Sequence, residues 1–114
     1  MMFATLDGPT GYQDVRRFLD KLFADPRFRR GMPSLIDCRR VKNLFSIADL
    51  RKTAADHKRR PELKVPGRAA VVASSNLIYG LLRMYEVFSE GAAVEIRVFR
   101  KPEEALAWLR GAEV

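Results

Sequence analysis

The stretch Ala69-Ala70-Val71-Val72-Ala73, followed by Ser74-Ser75-Asn76, decides the fold of this chain. Five consecutive small or branched apolar residues are typical of a strand covered on both faces, as in a parallel sheet. The polar residues after it are preferred helix N-caps. The stretch therefore predicts a buried strand that leads directly into a helix.

Strand and helix patterns alternate on both sides of this unit. Further strands are predicted at residues 2–6, 34–37 and 94–99, and the last alternates between apolar and polar residues as an edge strand does. A helix pattern follows each strand, which favours parallel β-α units. Because 114 residues suffice for one domain, we predict a single α/β domain over residues 1–114. Its sheet is expected to be four-stranded and mostly parallel.

Local signals place the helix ends and faces. Thr10, with Gln13 three residues later, predicts the cap of the first helix, and Ser46 with Asp49 predicts that of the second. After the second strand and before the second helix, residues 39–40 are expected to form a turn. The second helix is expected to point three apolar residues inward: Ile47, Leu50 and Ala54. The third is expected to be buried on more than one side, because apolar residues lie nearly all round it.

The composition indicates a folded protein of a reducing compartment. Apolar residues make up 47% of the chain, and no apolar run approaches the roughly 18 residues of a membrane span. The N-terminus has no basic region ahead of an apolar stretch, as a signal peptide would. The single Cys38 cannot form an internal disulfide. We therefore expect a cytoplasmic protein with no membrane insertion.

Positive charge collects in the middle of the chain. The net charge is +7, and Lys and Arg outnumber Asp and Glu by ten to four within residues 34–68. Such an excess favours either a solvated surface or contact with a polyanion. Residues 46–68 contain no aromatic residue on which a base would stack. Nucleic acid is therefore an unfavoured partner.

The polar residues that follow the strands form a candidate ligand site. In parallel α/β sheets, ligands bind beyond the carboxyl ends of the strands. The candidate ligand-binding residues at these ends are Asp37, Arg39, Ser74, Ser75, Asn76 and Lys101. The alternative is that Ser75 or Asn76 only caps a helix and that Asp37 only bonds a turn amide.

No residue pattern predicts a catalytic or metal centre. His57, the only histidine, lies among Lys and Arg without Cys or His at ligand spacing, so we interpret it as a solvated helix end. It is also expected at the opposite sheet edge from Ser74 and Ser75, which disfavours a triad. Cys38 precedes two arginines that would lower its pKa, but no base is identifiable beside it. We predict no catalytic residue, no metal and no cofactor.

Several short motifs together resemble a bacterial family related to STAS domains, the sulfate-transporter and anti-sigma-antagonist fold. The motifs, which span about residues 10–110, are Asp25-Pro26-Arg27-Phe28, Leu35-Ile36-Asp37, Ala70-Val71-Val72-Ala73, Tyr79-Gly80 with Arg83-Met84-Tyr85, Val98-Phe99, and Glu104-Ala105 with Trp108-Leu109. The resemblance implies a mixed sheet with helices and a similarity to CRAL-TRIO lipid-binding domains. It also implies a binding module and not an enzyme.

Two features depart from that family. Related domains usually begin with an extra strand, whereas little precedes Met2, so that strand is expected to be absent or shortened. Anti-sigma antagonists carry a phosphorylated serine near the start of the second helix. Ser46 falls close to that place, but residues 45–48 lack the acid and the glycine of the family motif. Ser46 is therefore a candidate phosphosite only by position.

The sequence leaves three functions open. The leading prediction is a non-enzymatic, STAS-like, regulatory module that binds a protein partner or a small ligand. The alternatives are a basic domain that binds nucleic acid or another polyanion, and an enzyme with its site at the strand ends. A symmetric homodimer is also predicted, through a third-helix surface of Gly80, Met84, Tyr85 and Phe88.

Overall fold

A computed structural model describes residues 1–43 and 46–111, the side chains of Pro9 and Asn43 excepted. The elements, in chain order, are β1 (Met2–Pro9), α1 (Tyr12–Ala24), β2 (Ser34–Asn43), α2 (Ile47–Arg59), a short 3-10 helix (Pro61–Leu63), β3 (Gly67–Val72), α3 (Asn76–Phe88), β4 (Val94–Phe99) and α4 (Pro102–Gly111). The predicted α/β class with alternating β-α units is confirmed. None of the described helices is long and apolar enough to cross a membrane.

All four strands are parallel and lie in chain order, β1-β2-β3-β4. The mixed sheet implied by the STAS-like resemblance is therefore wrong for the described residues. The helices α1, α2 and α3 pack on one face of the sheet, here called the three-helix face, against residues such as Ile36 and Ile96. The helix α4 packs alone on the other face, the α4 face, against Leu35, Ala70 and Val72.

The strand β2 is longer than predicted because it contains a bulge. Opposite Thr5 and Asp7 of β1, the partners in β2 are Asp37 and Arg40, so β2 carries one extra residue there. Cys38 is buried, and the two arginines after it are both exposed. The turn predicted at residues 39–40 is wrong, because a bulge lets two consecutive cations face solvent while the strand continues.

The predicted caps are correct for α2 but wrong for α1. Ser46 Oγ accepts a hydrogen bond from the backbone N–H of Asp49 at 3.1 Å, as predicted. The cap of α1 is Gly11, whose N–H donates to Asp14 Oδ2 at 2.8 Å. Thr10 is buried, and its hydroxyl donates back to the carbonyl of Gly8 at 3.1 Å. The helix begins one residue later than predicted, with Gly11 as its cap, so the predicted Thr10–Gln13 pair does not form.

The helix α3 is buried along one stripe and not all round. Ile78, Leu82 and Tyr85 are buried, whereas Leu77 is 69% exposed. The predictions that α3 is buried on more than one side and that Ile47 of α2 faces inward are both wrong. Three helices that share one face of a four-stranded sheet can each bury only one stripe.

The predicted dimer surface on α3 is only partly available. Tyr85 faces the core with 6% of its surface exposed, while Gly80 is exposed and a Cβ there would meet nothing within 4 Å. Met84 and Phe88 are partly buried beside the core. The homodimer stays a prediction, and Tyr85 is not free to contribute to it.

Candidate functional site

An open surface hollow beside the bulge of β2 is lined by Thr5, Asp37, Arg39 and Arg40. The prediction that Asp37 and Arg39 lie at the carboxyl end of β2 is wrong, because the strand continues to Asn43. Within the hollow, Asp37 accepts three hydrogen bonds from Arg39: from the backbone N–H at 3.0 Å, from Nε at 2.9 Å and from Nη2 at 2.8 Å. The side-chain bond from Arg39 is the main cause that holds the pKa of Asp37 below its usual range. The charges of Asp37 and Arg39, two of the candidate ligand-binding residues, are thus already satisfied by each other.

The candidates at the end of β3 are also held by local partners. Ser75 Oγ caps α3 by accepting from the N–H of Ile78 at 3.1 Å. Asn76 Oδ1 accepts from Arg100 Nη1 at 2.7 Å. Ser74 and Lys101 are exposed. No hydrogen bond or ion pair within residues 1–43 and 46–111 joins this group to Asp37 or Arg39, so ligand binding at the strand ends stays a prediction.

A second space lies inside the protein, between the sheet and the helices of the three-helix face. This cavity has a volume of about 140 Å³. Each of β1, α1, β2, α2, β3 and α3 contributes to its wall, for example through Leu6, Leu19, Ile36, Leu50, Val71 and Leu82. The charged residues of the wall, Glu62 and Arg68, are only partly buried. The cavity is therefore largely apolar, and it reaches from the core residues of this face to the partly buried charged residues.

Two polar residues of α2 belong to the wall of this cavity. Thr53 and His57 are four residues apart, so they share one face of the helix. Thr53 is 4% exposed. In the part of the chain that the structure describes, neither Thr53 Oγ1 nor His57 Nε2 has a hydrogen-bond partner, although both atoms are buried. Buried polar atoms are nearly always paired in folded proteins, so this pair calls for an explanation.

Contact with α3 sets the state of His57. Its Nδ1 forms a hydrogen bond with the hydroxyl of Tyr85, and the two rings meet edge to face with centroids 5.3 Å apart. Burial, assisted by the charge of Arg60, lowers the pKa of His57 to about 4. The imidazole is therefore neutral near pH 7. The interpretation of His57 as a solvated helix end is wrong, because Tyr85 of the neighbouring helix covers the ring.

Cys38 is a further wall residue of the cavity, and its thiol is neutral. It is 4% exposed, and burial, with a smaller contribution from the charge of Asp37, raises its pKa to about 12. The expectation that the two following arginines lower its pKa is wrong. Both arginines are exposed on the strand bulge, whereas the thiol is buried in the core.

Sequence reasoning missed the cavity, but one signal for its polar groups was present. Leu50, Thr53 and His57 recur at the spacing of a buried helical stripe, so two polar residues stand where apolar ones are expected. The candidate phosphosite Ser46 is exposed at the start of the same helix and has the capping role described above. Its phosphorylation stays a prediction.

Among the residues that the structure describes, no group of three or more His, Cys, Asp or Glu side chains is placed to hold a metal ion. Comparison of the chain with protein-family models, with curated proteins and with solved structures finds no match.

Proposed function

We propose that this protein is a non-enzymatic module that binds a small, mostly apolar molecule in the cavity of its three-helix face. The observation that carries the proposal is the cavity itself, about 140 Å³ of largely apolar space in the core of a small domain. The STAS-like family, a regulatory role and a cytoplasmic location remain parts of the proposal that rest on the sequence.

The energy of an internal cavity supports binding over a chance defect in packing. Protein interiors are close-packed and contain few voids larger than a water molecule. An unfilled apolar space costs stability, because the residues that line it lose packing contacts on that side. A ligand that fills the space would offset this loss.

The volume limits the ligand to about one ring. A cavity of about 150 Å³ lined by Leu, Ile and Phe binds benzene in another protein. The expected ligand therefore has about six to eight non-hydrogen atoms. Larger molecules would require the helices to move apart.

The basic middle of the chain supports a polyanion site less well. Most of its cations already contact other groups of the chain: Arg39 with Asp37, Arg59 with Asp56, Arg60 with Asp20, Arg68 with Glu95, Arg51 over the ring of Phe88 and Lys52 over the ring of Tyr12. These partners lower the net positive charge that the basic middle presents to phosphates, although Arg39, Arg51, Lys52 and Arg59 are themselves exposed.

Thermal unfolding with single-ring probes tests the proposal. A probe at ten times its Kd adds about 1.4 kcal/mol of stability, which raises the Tm of a domain of this size by several degrees. The variant Cys38→Leu fills part of the cavity and is expected to reduce that shift. The control Ala55→Leu adds apolar volume at an exposed position of α2 outside both the cavity and the hollow and should keep it.

The proposal is wrong if no single-ring probe raises the Tm, or if Cys38→Leu folds and responds as the unchanged chain does. Native mass spectrometry of the purified protein adds a direct measurement. A co-purifying molecule of one-ring size that is lost from Cys38→Leu would identify the class of natural ligand.

A further inference from the structure

The outer edge of β1 carries backbone groups without a strand partner. Among the described residues, β1 lies at one end of the sheet and has β2 as its single neighbouring strand. The N–H of Met2 donates to the carbonyl of Pro33 at 2.9 Å, so the backbone groups of Met2 and Ala4 point towards β2. Those of Phe3 and Thr5, the alternate residues, therefore point away from the sheet. An edge of this kind is a template for a further strand.

The opposite edge of the sheet, β4, is protected in two ways. The N–H of Val98 donates to Glu86 Oε2 of α3 at 3.0 Å, so this backbone group is covered. Glu95 and Arg97 add exposed charged side chains to the same strand. Charged side chains and covered backbone groups are usual means by which proteins prevent edge-to-edge pairing. Residues 2–6 carry no charge, so β1 is the edge that is open to a partner.

Beside this edge, the α4 face leaves an aromatic side chain exposed. Met2 and Ala4 pack with the core of the three-helix face, so Phe3 between them lies on the α4 face. A helix about 10 Å across covers about two strands spaced roughly 4.8 Å apart. The buried residues of the α4 face accordingly come from β2, β3 and α4 itself, and Phe3 is 61% exposed. A strand added beside β1 would cover part of its ring.

We propose that the added strand is β1 of a second copy of this chain, paired antiparallel so that two four-stranded sheets become one. In this pairing, Ala4 meets Ala4 of the second copy at the two-fold axis, and Phe3 lies opposite Thr5. The outward backbone groups of Phe3 and Thr5 then bond to each other. Met2 lies opposite Leu6 on the three-helix face. Aromatic and β-branched residues such as Phe3 and Thr5 are a favourable cross-strand pair.

Charge favours a second copy as the occupant of this edge. With a net charge of +7, two copies repel each other wherever their basic surfaces meet. The uncharged segment 2–6 avoids that repulsion. Asp7, the charged residue of β1, is exposed directly after the segment, where its carboxylate is attracted to the basic second copy. The register that places Thr5 opposite Thr5 would instead set the ring of Phe3 against the carboxylate of Asp7 and lose the favourable pair.

Sedimentation equilibrium at micromolar concentrations measures the dimer Kd of the unchanged chain and of Thr5→Pro. Proline is tolerated in an edge strand where its nitrogen faces solvent, so this variant is expected to fold. It removes two hydrogen bonds of the dimer, so the Kd should rise about a hundredfold, about tenfold for each bond. Phe3→Lys should also raise the Kd. The matched control Leu77→Lys changes a side chain that is 69% exposed on α3 and should leave the Kd unchanged.

Cysteine cross-linking under a mild oxidant tests the register. The two Ala4→Cys positions at the axis have Cα atoms about 4.5 Å apart, as in a non-hydrogen-bonded antiparallel pair, and a disulfide can span that distance. In Thr5→Cys the two positions are about 8 Å apart in the same register, which is beyond the reach of a disulfide. We therefore expect a covalent dimer from Ala4→Cys and none from Thr5→Cys. Cys38 is buried, so it does not compete.

The proposal is independent of the cavity, and none of these measurements needs a ligand. An unchanged chain that stays monomeric at every concentration overturns it. So does a dimer whose Kd neither Thr5→Pro nor Phe3→Lys alters. If Thr5→Pro does not fold, the comparison of Phe3→Lys with Leu77→Lys decides. Equal cross-linking of Ala4→Cys and Thr5→Cys overturns the proposed pairing.

Discussion

The two faces of the sheet differ in whether their polar groups have hydrogen-bond partners. Asp37 is two residues after Leu35 and therefore on the α4 face, where it and Arg39 satisfy each other in a solvated hollow. On the three-helix face, Thr53 Oγ1 and His57 Nε2 are buried without a hydrogen-bond partner among the described residues, and both residues belong to the wall of a largely apolar cavity. A pair that is already satisfied has little to offer a ligand. The apolar cavity favours the three-helix face as the binding side.

The largest effect is expected from truncating one core leucine on each face. Leu50 on α2 is 1% exposed and Leu109 on α4 is 0% exposed. Leu50→Ala and Leu109→Ala should each lower the free energy of unfolding by about 2–5 kcal/mol, measured by urea denaturation. Only Leu50 lines the cavity, so only Leu50→Ala should admit a two-ring probe. Equal binding of that probe by both variants would remove the distinction between the faces.

The next effect is a pH dependence that originates on the three-helix face. The pKa of His57 is lowered to about 4 from 6.5, so the unfolded chain binds more protons between these values. The contribution to stability is fully present above pH 6.5, falls as the pH drops and is lost below about 4. Its size is on the order of 3 kcal/mol. Denaturant unfolding at pH 7 and pH 4.5 measures it.

The variant His57→Gln is the control for that pH dependence, because Gln does not titrate. Its free energy of unfolding should change much less between pH 7 and pH 4.5 than that of the unchanged chain. An equal decline in both proteins would assign the pH dependence to carboxylates elsewhere.

A smaller effect of opposite sign is expected at Thr53. In the absence of ligand, Thr53→Val removes an unpaired buried hydroxyl and should stabilise the protein by about 1 kcal/mol. Thr5→Val, on the exposed part of β1, should change stability by less than about 0.5 kcal/mol. Urea denaturation distinguishes the two. A loss of stability in Thr53→Val would show that this hydroxyl has a partner in the ligand-free protein.

The fold was predictable from the sequence because its signals are local. Alternating strand and helix patterns predicted the parallel β-α units, and Ser46 and Ser75 mark the starts of α2 and α3. The bulge that turns two arginines outward was not predictable, because it depends on the register between β1 and β2. A turn and a bulged strand have the same local composition at that point.

The cavity was not predictable for a related reason. Its volume depends on how three helices pack over one sheet, and no local pattern encodes that spacing. His57 was misinterpreted because the cations that follow it, Lys58-Arg59-Arg60, are typical of a solvated helix end. The covering residue, Tyr85, lies 28 positions away on another helix.

The smallest effect is expected at the polar pair of the α4 face. Asp37→Asn removes the charge that Arg39 neutralises, but the side chains of Asp37 and Arg39 are 24% and 46% exposed. Water screens such a pair, so we expect a loss of about 0.5 kcal/mol.

Because the pKa of Asp37 is lowered, this stability is present above the unfolded value near 3.8 and is lost as the pH falls through the lower folded value. The pH range in which Asp37 titrates lies below that of His57, and Asp37 is still ionised at pH 5.5. Urea denaturation at pH 5.5 therefore distinguishes the contribution of His57 to stability from that of Asp37. Between pH 7 and pH 5.5, His57→Gln should flatten the decline in stability, and Asp37→Asn should leave its slope unchanged. If Asp37→Asn alters the slope of unfolding free energy against pH in that range, this carboxyl is coupled to groups beyond Arg39. The hollow would then again be a candidate binding site.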